Sequence, residues 1–512
     1  MLAKTFSAAL KGVDAFTVEI EVNATFAGEK TQVSIVGLPD TAVRESKERV
    51  HSALTSSGYF HPHGFTTVNL APADIKKVGA GFDLPIAIGI MATGDAMGGV
   101  DLSRTLLVGE LALDGAIRPT RGALSIAVHA RQHGYHTLIL PSENAHEAAI
   151  VDGIQVIGVK HLTEATEVLK GQSLIEPTVI DALEYFSTHI DTSLDFADIK
   201  GQETAKRAVQ VAAAGGHNCL LVGPPGTGKS MIAKRLPAIL PLMSLEEAIE
   251  TTRIHSVAGH LPIGQPLLVA RPFRSPHHTI SDAGMLGGQS NPQPGEISLA
   301  HHGILFLDEL PEFPRKALEV LRQPMEDGQV TISRAAGSCT FPARFQLIAA
   351  MNPCPCGHYG SSGQRTCRCS SSQVRKYRSR LSGPLLDRID IHVEVASLSE
   401  DELMKRPTGE SSQVLRDRVQ AARSKQSERF ADSATHCNAQ MTSKELRKHC
   451  ELDDPAAQLL KLALSEMGIS ARAFDRILRV ARTIADLNGS EILSIPEISE
   501  AIQYRSLDRE LW

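Results

Sequence analysis

Residues Gly223-Pro-Pro-Gly-Thr-Gly-Lys229-Ser230 are the stretch that decides how the centre of this chain folds. They match every fixed position of the phosphate-loop pattern G-x-x-x-x-G-K-[S/T]. The glycines let consecutive backbone N–H groups surround phosphates, Lys229 can reach the β- and γ-phosphates, and the Ser230 hydroxyl can hold Mg²⁺. The stretch therefore predicts a site for ATP and Mg²⁺.

The flanking residues have the composition that a phosphate loop requires. Cys219-Leu-Leu-Val222 is a short apolar run, which predicts a buried strand. Met231-Ile-Ala-Lys-Arg-Leu236 predicts a helix whose N-terminus faces the bound anion. A chance turn of glycine and proline is the alternative, and this flanking pattern disfavours it.

Two further apolar runs end in polar side chains that suit phosphoryl transfer. Gly303-Ile-Leu-Phe-Leu-Asp308-Glu309 predicts a strand followed by two carboxylates. Asp308 suits a place in the outer coordination of Mg²⁺, and Glu309 suits the base that orients the attacking water. Leu347-Ile-Ala-Ala-Met-Asn352 predicts another strand, whose terminal amide can position that water. The residues predicted to bind ATP are Gly223, Pro224, Pro225, Gly226, Thr227, Gly228, Lys229, Ser230 and Asp308, of which Ser230 and Asp308 serve Mg²⁺.

Two arginines complete the predicted catalytic set. A phosphoryl-transfer site stabilises developing negative charge with an arginine, which often comes from a neighbouring subunit. Leu385-Leu-Asp-Arg388 and Ser470-Ala-Arg472 follow the phosphate loop in an order that suits this role, although either arginine taken alone is an ordinary surface residue. The predicted catalytic residues are Glu309, Asn352, Arg388 and Arg472.

Composition limits the class of protein. With 512 residues, a net charge of −6 and 42% apolar residues, we expect a globular chain of about three domains without a uniformly basic surface. No uncharged apolar run approaches the roughly 18 residues that span a membrane. The N-terminal residues Met1-Leu-Ala-Lys-Thr-Phe-Ser lack the apolar centre of a signal peptide, so we expect a cytoplasmic protein.

The motifs in this order resemble an AAA+ ATPase of the magnesium-chelatase/MCM branch. More specifically, Arg271-Pro-Phe-Arg274-Ser-Pro-His-His278, Pro294-Gly-Glu296-Ile-Ser-Leu and Met351-Asn-Pro-Cys-Pro-Cys-Gly357 resemble the YifB/ComM-type magnesium chelatase-like proteins. The resemblance covers nearly the whole chain and implies an α/β fold. It implies a Lon-protease-like (S5-type) α/β domain over residues 1–168, a linker over 169–196, an AAA+ phosphate-loop ATPase core over 197–396 and a C-terminal helical lid over 397–512.

The resemblance also implies an activity. It predicts an ATPase that assembles into a homo-oligomeric, hexameric ring, with Arg388 acting across the subunit interface. It further predicts a helicase that drives branch migration on single-stranded or branched DNA, in homologous recombination during natural transformation and with a recombinase as partner. Two other classes stay open, namely a chelatase subunit that inserts Mg²⁺ into a porphyrin and a chaperone-like AAA+ protein that remodels proteins.

The N-terminal part predicts the shape of a protease without its catalytic residues. Leu107–Pro119 and Gly134–Pro141 resemble the Lon protease domain, which is also found in RadA-type recombination proteins. Proteolysis of that type needs a serine activated by a lysine. The stretch Val78-Gly-Ala-Gly-Phe-Asp-Leu84 contains no serine, and Leu124 stands at the lysine position. We expect a non-proteolytic platform that binds DNA or stabilises a ring.

Two segments are candidates for DNA contact. The Asp327-Gly328 turn predicts the tip region of a hairpin, which projects into the ring pore in the MCM-like branch and makes Arg334 a candidate contact to the DNA backbone. A surface hairpin without a ligand fits as well. The second segment is a basic run that can neutralise several phosphates, or that is a solvated loop. The run contains Arg375, Lys376, Arg378 and Arg380.

Half of the eight cysteines crowd into residues 354–369. Cys354-Pro-Cys356 and Cys367-Arg-Cys369 offer two pairs of thiolates, which predict a tetrahedral Zn²⁺ site in a reducing compartment, with His358 as a substitute ligand. The C-x-C spacing is tighter than the common C-x₂-C spacing. Free thiols in a loop and a redox switch are the alternatives.

Overall fold

A computed structural model describes residues 2–25, 31–188, 194–288, 292–334, 337–360, 366–398, 404, 409–467 and 470–505. The chain folds into two compact units. The first contains Met1–His189, Leu245–Val269 and Cys339–Phe341, and the second contains Ile190–Ser244, Ala270–Ser338 and Pro342–Trp512. Leu245–Val269, which follows the phosphate-loop region in the sequence, therefore belongs to the first unit.

The first unit is built on a mixed sheet. Its strands among the described residues are β1 Leu2–Lys11, β2 Asp14–Thr25, β3 Thr31–Val36, β4 Gly64–Ala71, β5 Thr105–Leu107, β6 Glu110–Leu111, β7 Ile117–Arg118, β8 Thr137–Pro141 and β9 Gln155–Val159. The sheet order is β3-β4-β2-β1-β5-β8-β9, and β6 pairs with β7. β1 and β4 run antiparallel to β2, and the other neighbours in the sheet are parallel. The short apolar runs at residues 67–70, 105–107 and 137–140 lie in β4, β5 and β8.

The helices of the first unit pack on this sheet or on one another. Within the described part they are α1 Thr41–Ser56, α2 Asp83–Ala92, α3 Ala123–Gln132, α4 Ser142–Ala148, α5 Leu162–Leu169, α6 Ala182–Thr188 and α9 Leu245–Ala258. α1 begins after Asp40 because the Asp40 carboxylate accepts a hydrogen bond from the Val43 backbone N–H. α2 is apolar and buried along nearly its whole length, as expected for a helix inside a core.

The second unit is built on a parallel sheet. The remaining strands that the structure describes are β10 Cys219–Val222, β11 Phe273–Arg274, β12 Gly287–Gly288, β13 Gln293–Pro294, β14 Ile304–Leu307, β15 Gln329–Arg334, β16 Gly337–Pro342, β17 Gln346–Met351 and β18 Ile391–Glu394. The parallel sheet has the order β11-β14-β17-β10-β18. β10 is buried on both faces, which explains its uninterrupted apolar sequence. The strands predicted from the runs that end at residues 222, 307 and 351 are confirmed.

Helices flank the parallel sheet and fill the C-terminal part of the second unit. Those in the described residues are α7 Glu203–Gly215, α8 Lys229–Arg235, α10 Asp282–Leu286, α11 Glu296–Leu299, α12 Arg315–Glu319, α13 Arg322–Asp327, α14 Ser371–Arg378, α15 Gly383–Leu386, α16 Ser412–Arg429, α17 Ser443–His449, α18 Asp454–Met467, α19 Ala471–Asn488 and α20 Ile495–Gln503. α19 packs on α7, and its apolar residues join the same buried cluster as β10. Among the described residues, no helix is long and apolar enough to cross a membrane.

The prediction of a hairpin tip at Asp327-Gly328 is wrong. Arg322–Asp327 form α13, and Gly328 ends this helix in the left-handed conformation with φ 65°. Its backbone N–H donates to the Pro324 carbonyl, a helix ending that an Asp-Gly pair satisfies as readily as a hairpin turn. The strands β15 and β16 come later, and the residues between them, 335–336, lie outside the described part of the chain.

Asp83 belongs to the stretch that the sequence comparison aligns with the serine turn of Lon-type peptidases, and its carboxylate is fully buried. The carboxylate accepts a hydrogen bond from Arg49 Nε at 2.6 Å, and it also accepts from the Ser46 hydroxyl and the Leu111 backbone N–H. Leu124, at the lysine position, is buried as well. Asp83 therefore links α1, α2 and β6 as part of the fold.

Replacing Asp83 by alanine is expected to lower the free energy of unfolding by about 3 kcal/mol, because the buried donors around the carboxylate lose their acceptor. Asp14→Ala is the matched control, since the Asp14 carboxylate also pairs with an arginine, Arg253, but is 77% exposed. Its loss should cost less than about 1 kcal/mol. Denaturant unfolding of the full chain, followed by circular dichroism, measures both. Equal stability of the two variants would contradict a structural role for Asp83.

Candidate nucleotide-binding site

The phosphate loop leaves the carboxyl end of β10 and leads directly into α8. Gly228, with φ 91°, precedes Lys229 at the start of this helix, in a conformation that glycine adopts without strain. The side-chain amide of Gln202 donates to the Thr227 carbonyl at 3.3 Å and to the Ala396 carbonyl at 2.6 Å. The loop is therefore tied to the segment that follows β18 as well as to its own strand.

Lys229 is only 8% exposed although it carries an ammonium group. Its Nζ donates to the carbonyls of Gly223 and Pro224 at 2.7 and 2.8 Å, and to Asn352 Oδ1 at 3.3 Å. Burial lowers the pKa of Lys229, and the nearby Asp308 carboxylate opposes this shift. Neutral carbonyls solvate an ammonium group less well than a phosphate does, so the pocket of Lys229 favours an anionic ligand.

Ser230 and Asp308 meet at the other side of the loop. The Ser230 hydroxyl donates to Asp308 Oδ2 at 2.6 Å. Asp308 directly follows β14, and Ser230 is the second residue of α8, so a strand and a helix fix the two groups. A hydroxyl and a carboxylate are hard oxygen donors, which are the ligands that fit Mg²⁺.

Asn352 lies between the two halves of the site. It follows β17, which is the strand between β14 and β10, and its side chain contacts Lys229. Its backbone N–H donates to the Tyr377 hydroxyl of α14, and burial together with the Glu312 carboxylate raises the pKa of Tyr377 to about 12. The structure places Asn352 beside Lys229, and its part in positioning water stays a prediction.

Glu309 combines an unusual backbone with an unexpected neighbour. Its φ and ψ are 54° and 47°, a left-handed conformation that costs a residue other than glycine about 1 kcal/mol or more and is frequent at functional sites. Glu309 Oε2 lies 3.4 Å from His278 Nδ1. From the sequence, His278 was part of a family motif, and no role was predicted for it. β11 pairs in parallel with β14, and this pairing places the segment after Arg274, which contains His278, beside Glu309.

Arg388 lies at the opposite edge of the sheet from the phosphate loop. Its carbonyl accepts a hydrogen bond from Asn218 Nδ2 at 2.9 Å, and Asn218 directly precedes β10. β10 and β18 are parallel, so Asn218 and Arg388 both lie at the N-terminal ends of these strands. Strands of 4 residues place the N-terminal ends about 13 Å from the C-terminal ends, where the phosphate loop begins. The Arg388 guanidinium contacts Glu326 Oε1 at 2.5 Å and the Pro384 carbonyl at 2.6 Å. The structure does not bring Arg388 to the nucleotide site of its own chain.

Arg472 is the second residue of α19 and is exposed. Other arginines of the same helix form ion pairs with carboxylates of the same chain. Arg476 NH1 lies 3.7 Å from Asp390, and Arg482 Nε lies 3.2 Å from Asp486. Within the residues that the structure describes, no contact joins Arg472 to the phosphate loop, so its catalytic role stays a prediction.

The predicted DNA contacts divide into two groups. The exposed members include Arg334 at the end of β15 and Arg375 and Lys376 on α14. Arg378, which is half-buried, and Arg380, which is also exposed, make contacts that stabilise the fold. Arg378 Nε donates to the Pro353 carbonyl at 3.3 Å, and Arg380 pairs with Glu312 at 2.6 Å. The basic run is therefore only partly available to a ligand.

The clustered cysteines meet in space. The Sγ atoms of Cys354, Cys356, Cys367 and Cys369 all lie within 4.8 Å of one another, and all four are free thiols. This group of possible metal ligands does not include His358. The sequence-predicted set is thus assembled without the substitute ligand.

A parallel sheet whose interior strand leads through a phosphate loop into a helix defines a phosphate-loop nucleotide-binding protein. The family descriptions that match this chain are "Magnesium chelatase, subunit ChlI" over residues 195–403, "Subunit ChlI of Mg-chelatase" over 20–144 and "Magnesium chelatase, subunit ChlI C-terminal" over 409–505. The chain belongs to this family of magnesium chelatase-like proteins and, within it, to the YifB/ComM type. The family is generally of the AAA+ ATPase kind, which agrees with the predicted use of ATP and Mg²⁺.

Full-length relatives support this assignment. The uncharacterized protein YifB of Escherichia coli is 44% identical over 504 residues, which cover 98% of this chain and 96% of the relative. The competence protein ComM of Haemophilus influenzae is 44% identical over 513 residues, which cover 100% and 98%. The magnesium-chelatase 38 kDa subunit of Cereibacter sphaeroides is 26% identical over 174 residues, which cover only 31% of this chain and 52% of the subunit.

Proposed function

We propose that this protein is an ATP-driven, ring-forming DNA motor that acts in homologous recombination. The observation that carries the proposal is the position of Arg388, which lies at the sheet edge opposite to the phosphate loop of its own chain. A nucleotide site that uses this arginine needs a second subunit, and a closed ring supplies one to every site. A homo-hexamer is the ring that the resemblance to AAA+ ATPases favours.

Each residue of the site has a distinct part in the proposed hydrolysis. Lys229 holds the β- and γ-phosphates, and Ser230 and Asp308 would hold Mg²⁺, which neutralises phosphate charge. Glu309 orients the attacking water and takes its proton, and Asn352 fixes that water next to the γ-phosphate. Arg388 from the neighbouring subunit stabilises the charge of the transition state, and Arg472 is a second candidate for this role.

DNA is the substrate that the relatives and the surface charges favour. ComM of Haemophilus influenzae is named a competence protein, and it aligns with all of this chain. Arg375 and Lys376 are exposed on α14, and Arg334 is exposed at the end of β15. We propose that these residues contact the DNA backbone, and that ATP hydrolysis drives branch migration during natural transformation with a recombinase as partner.

The N-terminal α/β unit has a supporting part in this proposal. We assign it a Lon-protease-like fold that does not cleave peptides, because the Asp83 carboxylate accepts a hydrogen bond from Arg49 and because the buried Leu124 has no amine to serve as a base. It would act as a platform for DNA or for the ring. The C-terminal helices, which pack on α7, would serve as the lid of the ATPase.

Stimulation of ATP hydrolysis by DNA tests the proposal. We expect single-stranded or branched DNA to raise the ATPase rate of the full chain several-fold, and we expect an unfolded protein such as casein not to do so. DNA affinity should fall steeply with salt, because phosphate contacts release counterions. Stimulation by casein but not by DNA would favour a chaperone-like ATPase instead.

A charge variant locates the DNA contact. The double substitution Arg375→Ala/Lys376→Ala should weaken DNA binding roughly tenfold and reduce the slope of log K against log salt by about 2, one per lost phosphate contact. The control is Lys444→Ala/Arg447→Ala, which removes an equally exposed basic pair on α17. An equal salt slope in both variants would remove α14 from the DNA surface.

A further inference from the structure

We propose that Cys354, Cys356, Cys367 and Cys369 bind one structural Zn²⁺, and that the resulting zinc knuckle, residues 354–360 and 366–369, supports the phosphate loop. The metal site follows from the cysteines alone. Its effect on the nucleotide rests on the proposed binding of ATP at the phosphate loop.

The distances between the sulfur atoms are those of metal ligands. Cys354 Sγ lies 3.4 Å from Cys356 Sγ and 3.7 Å from Cys367 Sγ, and the latter two lie 3.6 Å apart. Zn–S bonds of about 2.3 Å in a tetrahedral site place neighbouring sulfurs about 3.8 Å apart. A disulfide would bring two sulfurs to about 2.05 Å. The four thiols therefore surround a space that fits a single ion.

Regular elements present both pairs of ligands. Cys354 is buried just beyond the end of β17, and the Gly357 backbone N–H donates to the Cys354 carbonyl at 3.0 Å, which closes a turn around Cys356. The backbone N–H of Cys369 donates to Cys367 Sγ at 3.4 Å. Ser370, the next residue, caps α14 through a reciprocal bond with Gln373. The ligands thus start from a strand end and a helix start.

Gly357 brings the knuckle into direct contact with the phosphate loop. A Cβ atom at this position would lie only 2.5 Å from Cδ of Pro225, and the residue has φ 85°. Glycine is therefore required twice, for the close approach and for the left-handed backbone. Because Pro225 is part of the loop that cradles phosphates, the position of the knuckle determines how that loop is supported.

The other side of the knuckle is held by α14. Arg378 Nε donates to the Pro353 carbonyl at 3.3 Å, and its guanidinium lies 5.2 Å from the centre of the Tyr359 ring. Most described residues of the knuckle are half-buried or exposed, so apolar burial contributes little to its order. Metal coordination supplies ordering energy in such short segments.

Elemental analysis of the full-length protein, purified without chelator and without a histidine tag, tests the metal. We expect about one zinc per chain in the wild type. The double substitution Cys367→Ser/Cys369→Ser should contain well under one zinc per chain. The matched control is Cys339→Ser, which removes a half-buried cysteine outside the cluster and should retain the metal. Well under one zinc in the wild type, or iron in its place, would overturn the zinc site. A titration of the denatured, unreduced protein that finds fewer than its 8 thiols would then indicate a disulfide.

A second variant tests the contact with the phosphate loop without touching a ligand. Gly357→Ala should keep one zinc per chain but bind a fluorescent ATP analogue roughly tenfold more weakly, because the loop loses its preorganised position. Gly360→Ala is the matched control, since Gly360 also has a positive φ, 74°, but a Cβ there would meet nothing within 4 Å. Its zinc content and ATP affinity should both match the wild type.

The outcomes separate the two proposals. If the wild type binds zinc but no ATP analogue, the proposed nucleotide site fails and the metal site stands. If Gly357→Ala and Gly360→Ala bind the analogue equally well, the support of the phosphate loop by the knuckle is overturned. If the wild type binds the analogue but no zinc, the metal site fails and the nucleotide site stands.

Discussion

Replacing Arg388 by alanine is expected to slow ATP hydrolysis about 10³-fold or more while ATP binding persists. An arginine that stabilises transition-state charge contributes this much to the rate, and Arg388 lies too far from the phosphate loop of its own chain to contribute to binding there. Steady-state hydrolysis measures the rate, and equilibrium binding of a fluorescent ATP analogue measures the affinity.

Two controls distinguish catalysis across an interface from a structural role. Arg388 pairs with Glu326 inside the chain, so a purely structural arginine predicts that Glu326→Gln damages hydrolysis as much as Arg388→Ala does. We expect Glu326→Gln to remain active. Mixing Arg388→Ala with Lys229→Ala subunits should restore part of the activity, because mixed rings contain intact interfaces. A mixture that stays inactive at all ratios contradicts action from the neighbouring subunit.

Replacing Glu309 by glutamine is expected to leave ATP bound but to reduce turnover about 10²-fold or more. Glutamine preserves the size of the side chain and its reach toward His278, but it cannot take a proton from water. Single-turnover hydrolysis with the protein in excess isolates the chemical step from product release.

Lys229→Ala and His278→Ala are the comparisons for this variant. Lys229→Ala should lose ATP binding itself, because its Nζ lies at the centre of the loop. If His278 positions the Glu309 carboxylate, His278→Ala should reduce turnover by less than Glu309→Gln does and should not change ATP affinity. Normal turnover in Glu309→Gln would remove this carboxylate from the mechanism.

The elements that carry the candidate nucleotide site can be predicted from the sequence alone. In the structure the apolar run at Cys219–Val222 is a strand, the phosphate-loop pattern is the loop that follows it, and the Asp308-Glu309 pair follows the end of another strand. Such features are readable because each depends on a few consecutive residues. A glycine pattern fixes the local backbone, and an uninterrupted apolar run predicts a strand that is buried on both faces.

A short sequence pattern does not predict the local structure when two different structures satisfy it. The Asp327-Gly328 pair suits both a hairpin turn and the end of a helix, and the structure contains the helix end. The basic run was expected either to neutralise several phosphates or to form a solvated loop, and in the structure Arg378 and Arg380 also make contacts inside the chain. Whether an arginine faces solvent depends on neighbours that are distant in sequence.

Which distant segments meet depends on the order and direction of the strands, which become visible in the fold. The parallel pairing of β10 and β18 places Arg388 at the edge away from the phosphate loop, and the pairing of β11 with β14 brings His278 to Glu309. Gly357 reaches Pro225 in the same way, because β17 and β10 are adjacent. A motif determines which functional groups one segment carries. Strand order and direction depend on burial of the whole sheet, and they determine which functional groups come together.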